Sequence, residues 1–131
     1  AQLAKVKNQR SQILTEGISD ETESWDILRA YVTWCRERDI TVLATWPNIC
    51  YWKDYEIHES FENAPNKILK FWESQKVQIV GSPRGAMFPM ENFYDTMYHL
   101  NKRGADIRTN VLIKDLSETI DKSFDGNLFG H

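Results

Sequence analysis

The feature that most constrains the fold is "ITVLATW", residues 40–46, an apolar and β-branched run without alternation. A strand wetted on one face alternates apolar and polar residues. A continuous run fits a strand covered on both faces, as in a parallel sheet. Pro47 and Asn48 stop the run, and "VQIVG", 77–81, repeats the pattern as a second short buried strand. Helical patterns lie before, between and after the two. The order is helix, helix, strand, helix, strand, helix, and such alternation argues for a layered α/β sheet. Sheets of this kind carry about five strands, so two leave open edges and little face to cover. The chain therefore reads as a single domain over 1–131 that is the C-terminal portion of a larger α/β domain. Its first residue is Ala rather than Met, which points to an earlier segment. Open strand edges would also let two copies pair as a homodimer.

The helices follow from periodicity and end signals. Leu3, Val6, Ile13 and Leu14 give a weak stripe over 2–14, which Gly17 ends. "ISDETESWDILRAYVTWCRERD" is stronger. Ser19 or Asp20 can cap it, acids fill its first turn, and Arg36 and Arg38 lie in its last. Trp25, Leu28, Val32 and Cys35 share one face. A third helix spans about 63–75, with Asn63 as cap, Pro65 in the first turn and Ile68, Phe71 and Trp72 on the apolar face. The last runs from near Leu100 to about Lys122 and buries Ile107, Val111, Leu112, Leu116 and Ile120. The tail from 123 to 131 reads as irregular.

Composition narrows the function classes. Net charge is −3, with basic and acidic residues mixed along the chain, so nothing offers the basic stripe that nucleic acid requires. No apolar run approaches the length of about 18 residues that a membrane span needs. His58, His99 and His131 are scattered, with no cysteine pair near them, so no metal is expected. Cys35 falls on an apolar helix face, and spacing leaves a disulfide with Cys50 open.

Two segments carry candidate chemistry. The long loop "SPRGAMFPMENFYDTMYH" is of a length that usually serves function. It ends with Asp95 and His99 four residues apart, just before the last helix. A carboxylate that accepts from one imidazole nitrogen fixes the tautomer and stabilises the cation formed when the other nitrogen takes a proton. The bland alternative is a helix-start loop with Asp95 on backbone N–H groups. The second segment is "TWPNICYWKDY". There Trp46 and Trp52 would offer flat faces to a sugar and Asn48 hydrogen bonds, unless the rings simply fold inward. Arg84 would hold an anionic group, unless it is an ordinary surface arginine, the commoner case.

"FYDTMYHLNKRGADIRTNVLI" resembles the last conserved block of SGNH-type hydrolases and acyltransferases, in which an Asp and a His precede the final helix. Asp95, His99, Leu100, Asn101 and Gly104 carry the match. "ITVLATWPN" and "VQIVGSP" resemble the last two strands of that fold, and the likeness covers roughly residues 24–120. It is nearest to bacterial cell-envelope proteins of polysaccharide O-acetylation and D-alanylation. The resemblance implies a three-layer, flavodoxin-like sheet and a serine ester hydrolase or O-acyltransferase without a cofactor. Its substrate would be an acyl ester on an envelope carbohydrate, outside the cytoplasm or at the membrane. His99 would be the general base and Asp95 its orienter. The chain departs from the pattern in two ways. Three residues separate Asp95 from His99 where many members have two. No Gly-Asp-Ser-like turn precedes them, and Ser82 follows the wrong strand, with Pro83 removing an N–H that an oxyanion hole would use. The serine is therefore expected upstream. The alternative is a non-catalytic α/β envelope protein that binds glycan or a protein partner, or mediates assembly.

Overall fold

The buried run gives a shorter strand than its sequence suggests. In the computed structural model, which describes residues 6–20 and 22–125, β1 spans only Leu43–Thr45. Ala44 is buried, while Leu43 is 41% exposed, so one face is covered rather than two. The helix exit accounts for the lost residues. Asp39 turns to φ 55°, and the Ile40 N–H donates to Cys35 O at 3.0 Å, which closes the preceding helix with Ile40 47% exposed. Lys76 ends the next helix in the same way, at φ 54°, with the Val77 N–H on Trp72 O at 3.0 Å. A left-handed residue that glycine usually supplies thus ends both helices.

The remaining elements are α1 (Gln12–Glu16), α2 (Glu23–Arg36), β2 (Ile49–Cys50), α3 (Ser60–Ser74), β3 (Gln78–Val80), β4 (Met87–Phe88) and α4 (Lys102–Asp125). Short 3-10 turns occupy Lys53–Ile57, Arg84–Ala86 and Met90–Asn92. β1 pairs with β3, and β2 pairs in parallel with β4. The chain is therefore a mixed α/β protein with short two-stranded sheets. Two-residue strands carry no periodicity, so β2 and β4 were invisible to pattern reading, which placed both in loops.

Several expected boundaries move. The first helical stripe is broken in two: Val6 is helical, residues 9–11 are not, and α1 begins at Gln12; residues 1–5 lie outside the described part. α2 starts after Thr22, which makes no side-chain cap bond, so neither Ser19 nor Asp20 caps it. α3 starts at Ser60, four residues earlier than the Asn63 cap implied, which puts Pro65 inside the helix; the Asn63 amide instead donates to Glu59 Oε1 at 3.1 Å. α4 runs on to Asp125, into the expected tail, and residues 126–131 lie outside the described part. Its apolar side is half-buried rather than buried, and Ile120 is 46% exposed. Cys35 and Cys50 are both buried free thiols.

The chain divides into two compact units. One comprises Arg10–Ala44 and Trp52–Ile79. Its core joins Val32 of α2, Ala44 of β1 and Val77, with Val42, Trp72 and Ile79 packed around them. Trp25 lies against Phe71 at 4.4 Å between ring centres, and Phe71 meets Trp72 edge-on at 5.1 Å. The other comprises Ala1–Gln9, Thr45–Tyr51 and Val80–His131. Ile49, Cys50, Val80, Ala86, Phe88 and Phe93 are buried in it. Gly81 turns the chain after β3 at φ 77°, a conformation that side chains disfavour. Among the described residues no helix is long and apolar enough to cross a membrane.

Candidate functional site

The site is built on the second unit, at the start of α4. Phe93 bridges Leu100 in antiparallel fashion, so residues 94–99 form a closed turn rather than a slack loop. The Tyr94 N–H donates to His99 O at 2.8 Å across its neck. Inside it, Thr96 Oγ1 accepts from the N–H groups of Tyr98 (3.2 Å) and His99 (3.0 Å). A hydroxyl that gathers successive N–H groups in this way makes a tight turn, and it brings residues 95 and 99 face to face.

They meet as the spacing allows. His99 Nδ1 lies 2.8 Å from Asp95 Oδ1. The His99 side chain is 66% exposed and that of Asp95 36%. Nε2 has no protein partner among the described residues and opens to solvent. With Nδ1–H donating to Asp95, Nε2 carries the lone pair and can take a proton.

The rest of the block is scaffold. Asn101 immediately precedes α4, and its Oδ1 accepts from the Gly104 N–H at 3.0 Å, capping the helix. Its amide donates to Glu91 O at 2.7 Å, and the Asn101 N–H donates to Asn92 O at 2.9 Å. One side chain thus ties the helix start to the turn before the pair. Gly104 is where α4 touches that turn: a Cβ there would collide with Asn92 O and stand 3.0 Å from both Asn92 Cβ and Leu100 Cδ2. Asn92 is 5% exposed. The His-Leu-Asn-x-x-Gly run therefore encodes one exposed imidazole and two structural devices.

The other candidates take different places. Trp46 is 5% exposed and presents no face to solvent. Trp52 is half-buried, with the Arg10 guanidinium 3.8 Å from its ring centre, so a cation already occupies one face. Arg10 also pairs with Asp54 at 2.9 Å and holds that carboxyl below the usual carboxylate range. The indole N–H groups of both Trp46 and Trp52 are buried without a partner. Arg84 is exposed on its 3-10 turn. Ser82 Oγ accepts from the Gly85 N–H at 3.0 Å and caps that turn. Asn48 donates from its amide to Tyr98 O, next to His99.

No family model, no curated protein and no solved structure matches the chain. The reading of the site rests on its own geometry.

Sequence reasoning missed how the turn is held from outside. The Gln9 side chain accepts from the Met97 N–H at 3.0 Å, and the Cys50 N–H donates to Met97 O at 2.9 Å. Arg108, on α4, donates to Trp46 O at 2.8 Å and Thr45 Oγ1 at 3.1 Å, at the carboxyl end of β1. These partners are far apart in sequence, and no local pattern announces them. Thr96 was missed as well, although its place inside a short Asp-to-His turn is a local signal for a hydroxyl that collects N–H groups.

Proposed function

We propose that this chain supplies the acid–base half of an SGNH-type ester hydrolase or O-acyltransferase. The observation that carries the reading is the Asp95–His99 contact of 2.8 Å with the far imidazole nitrogen open to solvent. The reaction begins when a serine hydroxyl attacks the acyl carbonyl and its proton passes to His99 Nε2. Asp95 stabilises the resulting imidazolium through Nδ1–H, and the imidazolium then returns the proton to the leaving alcohol. Water completes a hydrolysis; a second sugar hydroxyl completes an acyl transfer.

The serine and its oxyanion donors come from a segment upstream of Ala1. That segment also adds strands beside β1 and β3 and completes a three-layer parallel sheet, in which sites lie beyond the carboxyl ends of strands. The substrate is an O-acyl group on a cell-envelope carbohydrate, and no cofactor takes part. The two buried or covered tryptophans give no support to a glycan platform, so the catalytic reading stands ahead of the binding one.

The test is active-site labelling. The natural polypeptide that carries this chain should react with a fluorophosphonate at one serine upstream of Ala1, and His99→Ala should abolish the labelling. A natural polypeptide with no reactive serine would end the proposal.

A further inference from the structure

We propose that Asn48 is a positioning residue for His99: by holding the Tyr98 carbonyl it fixes the peptide from which the imidazole projects onto Asp95. The inference rests on the acid–base reading of that pair.

One peptide plane joins Asn48 to His99. The Tyr98 C=O and the His99 N–H belong to the same rigid peptide unit. Asn48 Nδ2 donates to its oxygen, and Thr96 Oγ1 accepts from its N–H at 3.0 Å. The plane is therefore gripped at both edges, from a neighbour within the turn and from a residue fifty positions away. The next peptide is gripped as well, since His99 O accepts from the Tyr94 N–H at 2.8 Å. With both flanking peptides fixed, the direction of the His99 Cα–Cβ bond is fixed. Only two side-chain torsions remain, and the Asp95 contact closes them.

Asn48 can do this because its own backbone is anchored on both sides. It ends the short link between β1 and β2. Arg108 ties the β1 end through Trp46 O and Thr45 Oγ1. On the other side, Ile49 and Cys50 enter the parallel pairing with Met87 and Phe88, and the Cys50 N–H also holds Met97 O. The exposed imidazole has no packing to hold it, with its side chain 66% accessible. Backbone clamps are the means the fold has of presenting it in one direction. A donor to the turn, rather than a contact to substrate, is the role this geometry gives Asn48.

The test reads the ring itself. The chain is labelled with ¹⁵N-histidine, and long-range ¹H–¹⁵N spectra are recorded well above the imidazole titration range. His99 should be mainly the Nδ1–H tautomer. Asn48→Ala and the isosteric Asn48→Asp, which cannot donate, should lower the ratio of Nδ1–H to Nε2–H about tenfold, the weight of one hydrogen bond. A purely structural role would lower the melting temperature and leave the tautomer alone; that result overturns the inference. Thr96→Val frees the other edge of the same peptide and should shift the ratio in the same direction. It serves if both Asn48 variants fail to fold, and an unmoved tautomer there overturns the inference equally. Asp95→Asn distinguishes the role of the pair from the role of Asn48. If it shifts the tautomer while the Asn48 variants do not, the pair stands and the role of Asn48 falls. If Asp95→Asn has no effect, the acid–base reading falls, and the inference with it. In the natural polypeptide, Asn48→Ala should lower kcat and leave KM; a raised KM with unchanged kcat would make Asn48 a substrate contact instead.

Discussion

The segments 46–57 and 93–104 both read as sites from sequence, and the structure treats them in opposite ways. The first is rich in rings and turns most of them inward: Trp46 is 5% exposed, Tyr55 is fully buried, and Arg10 covers a face of Trp52, while Tyr51 stays 37% exposed. The second buries its backbone partners and turns its polar side chains outward, leaving His99 exposed above a turn closed by hydrogen bonds. A reactive group needs a rigid support and an open face at once. Segment 93–104 has both, whereas 46–57 gives its surface area to packing. Substitutions should accordingly cost stability in the first segment and activity in the second.

The sharpest break of that contrast is Tyr55→Ala. Tyr55 is 0% exposed, lies 6.4 Å from Phe61 between ring centres, and accepts the Ser11 N–H through its hydroxyl at 3.0 Å. Removing a buried ring of this size costs about 3–5 kcal/mol. Urea denaturation measures it, and a loss below about 1 kcal/mol would show that the ring is not part of a packed core.

Next comes Gly104→Ala, where the turn before segment 93–104 meets α4. Alanine favours a helix interior over glycine by about 1 kcal/mol, yet the added Cβ collides with the Asn92 backbone. Overpacking at such a contact costs about 1–3 kcal/mol, so the net effect should be destabilising. A stabilised variant would mean that the helix and the 90–92 turn are not in contact.

The smallest effect belongs to Arg10→Ala. Its hydrogen bond and charge hold Asp54 below the usual carboxylate range. The folded carboxyl is depressed, so the stability it contributes is present above the unfolded pKa and is lost as pH falls through the folded one. Both partners are partly exposed, which limits the contribution to about 0.2–1 kcal/mol. In the variant, Asp54 should titrate in the ordinary carboxylate range by carbon-13 NMR, and the acid-side loss of stability should shrink. An unchanged Asp54 titration would show that Arg10 is not its partner.

The same contrast shows what can be read from a chain of letters. Asp95 and His99 were legible because four residues of turn confine both, and Thr96 between them supplies the closing hydroxyl. Asn101 and Gly104 were legible only in kind, as a first-turn hydrogen bonder and a backbone requirement; the close approach of Gly104 to Asn92 was not. Asn48 was legible as a polar residue after a strand, but not as a clamp, because its partner lies fifty residues away. Ring composition told nothing of direction: the same Trp-rich run serves a platform or a core, and tertiary packing alone decides. The strand at 40–46 was overestimated because a continuous apolar run does not reveal that a helix exit has taken its first residues.

The central proposal is that His99 acts as a general base and adds little to stability. It is tested by assaying release of acyl groups from an acylated envelope carbohydrate with the natural polypeptide and its His99→Ala variant, melting both in parallel. His99 is exposed, so its loss should leave stability within about 0.5 kcal/mol. It should lower the rate by about a hundred- to ten-thousandfold, as removal of a general base does. A variant that melts unchanged and releases acyl groups at the original rate would contradict the account outright.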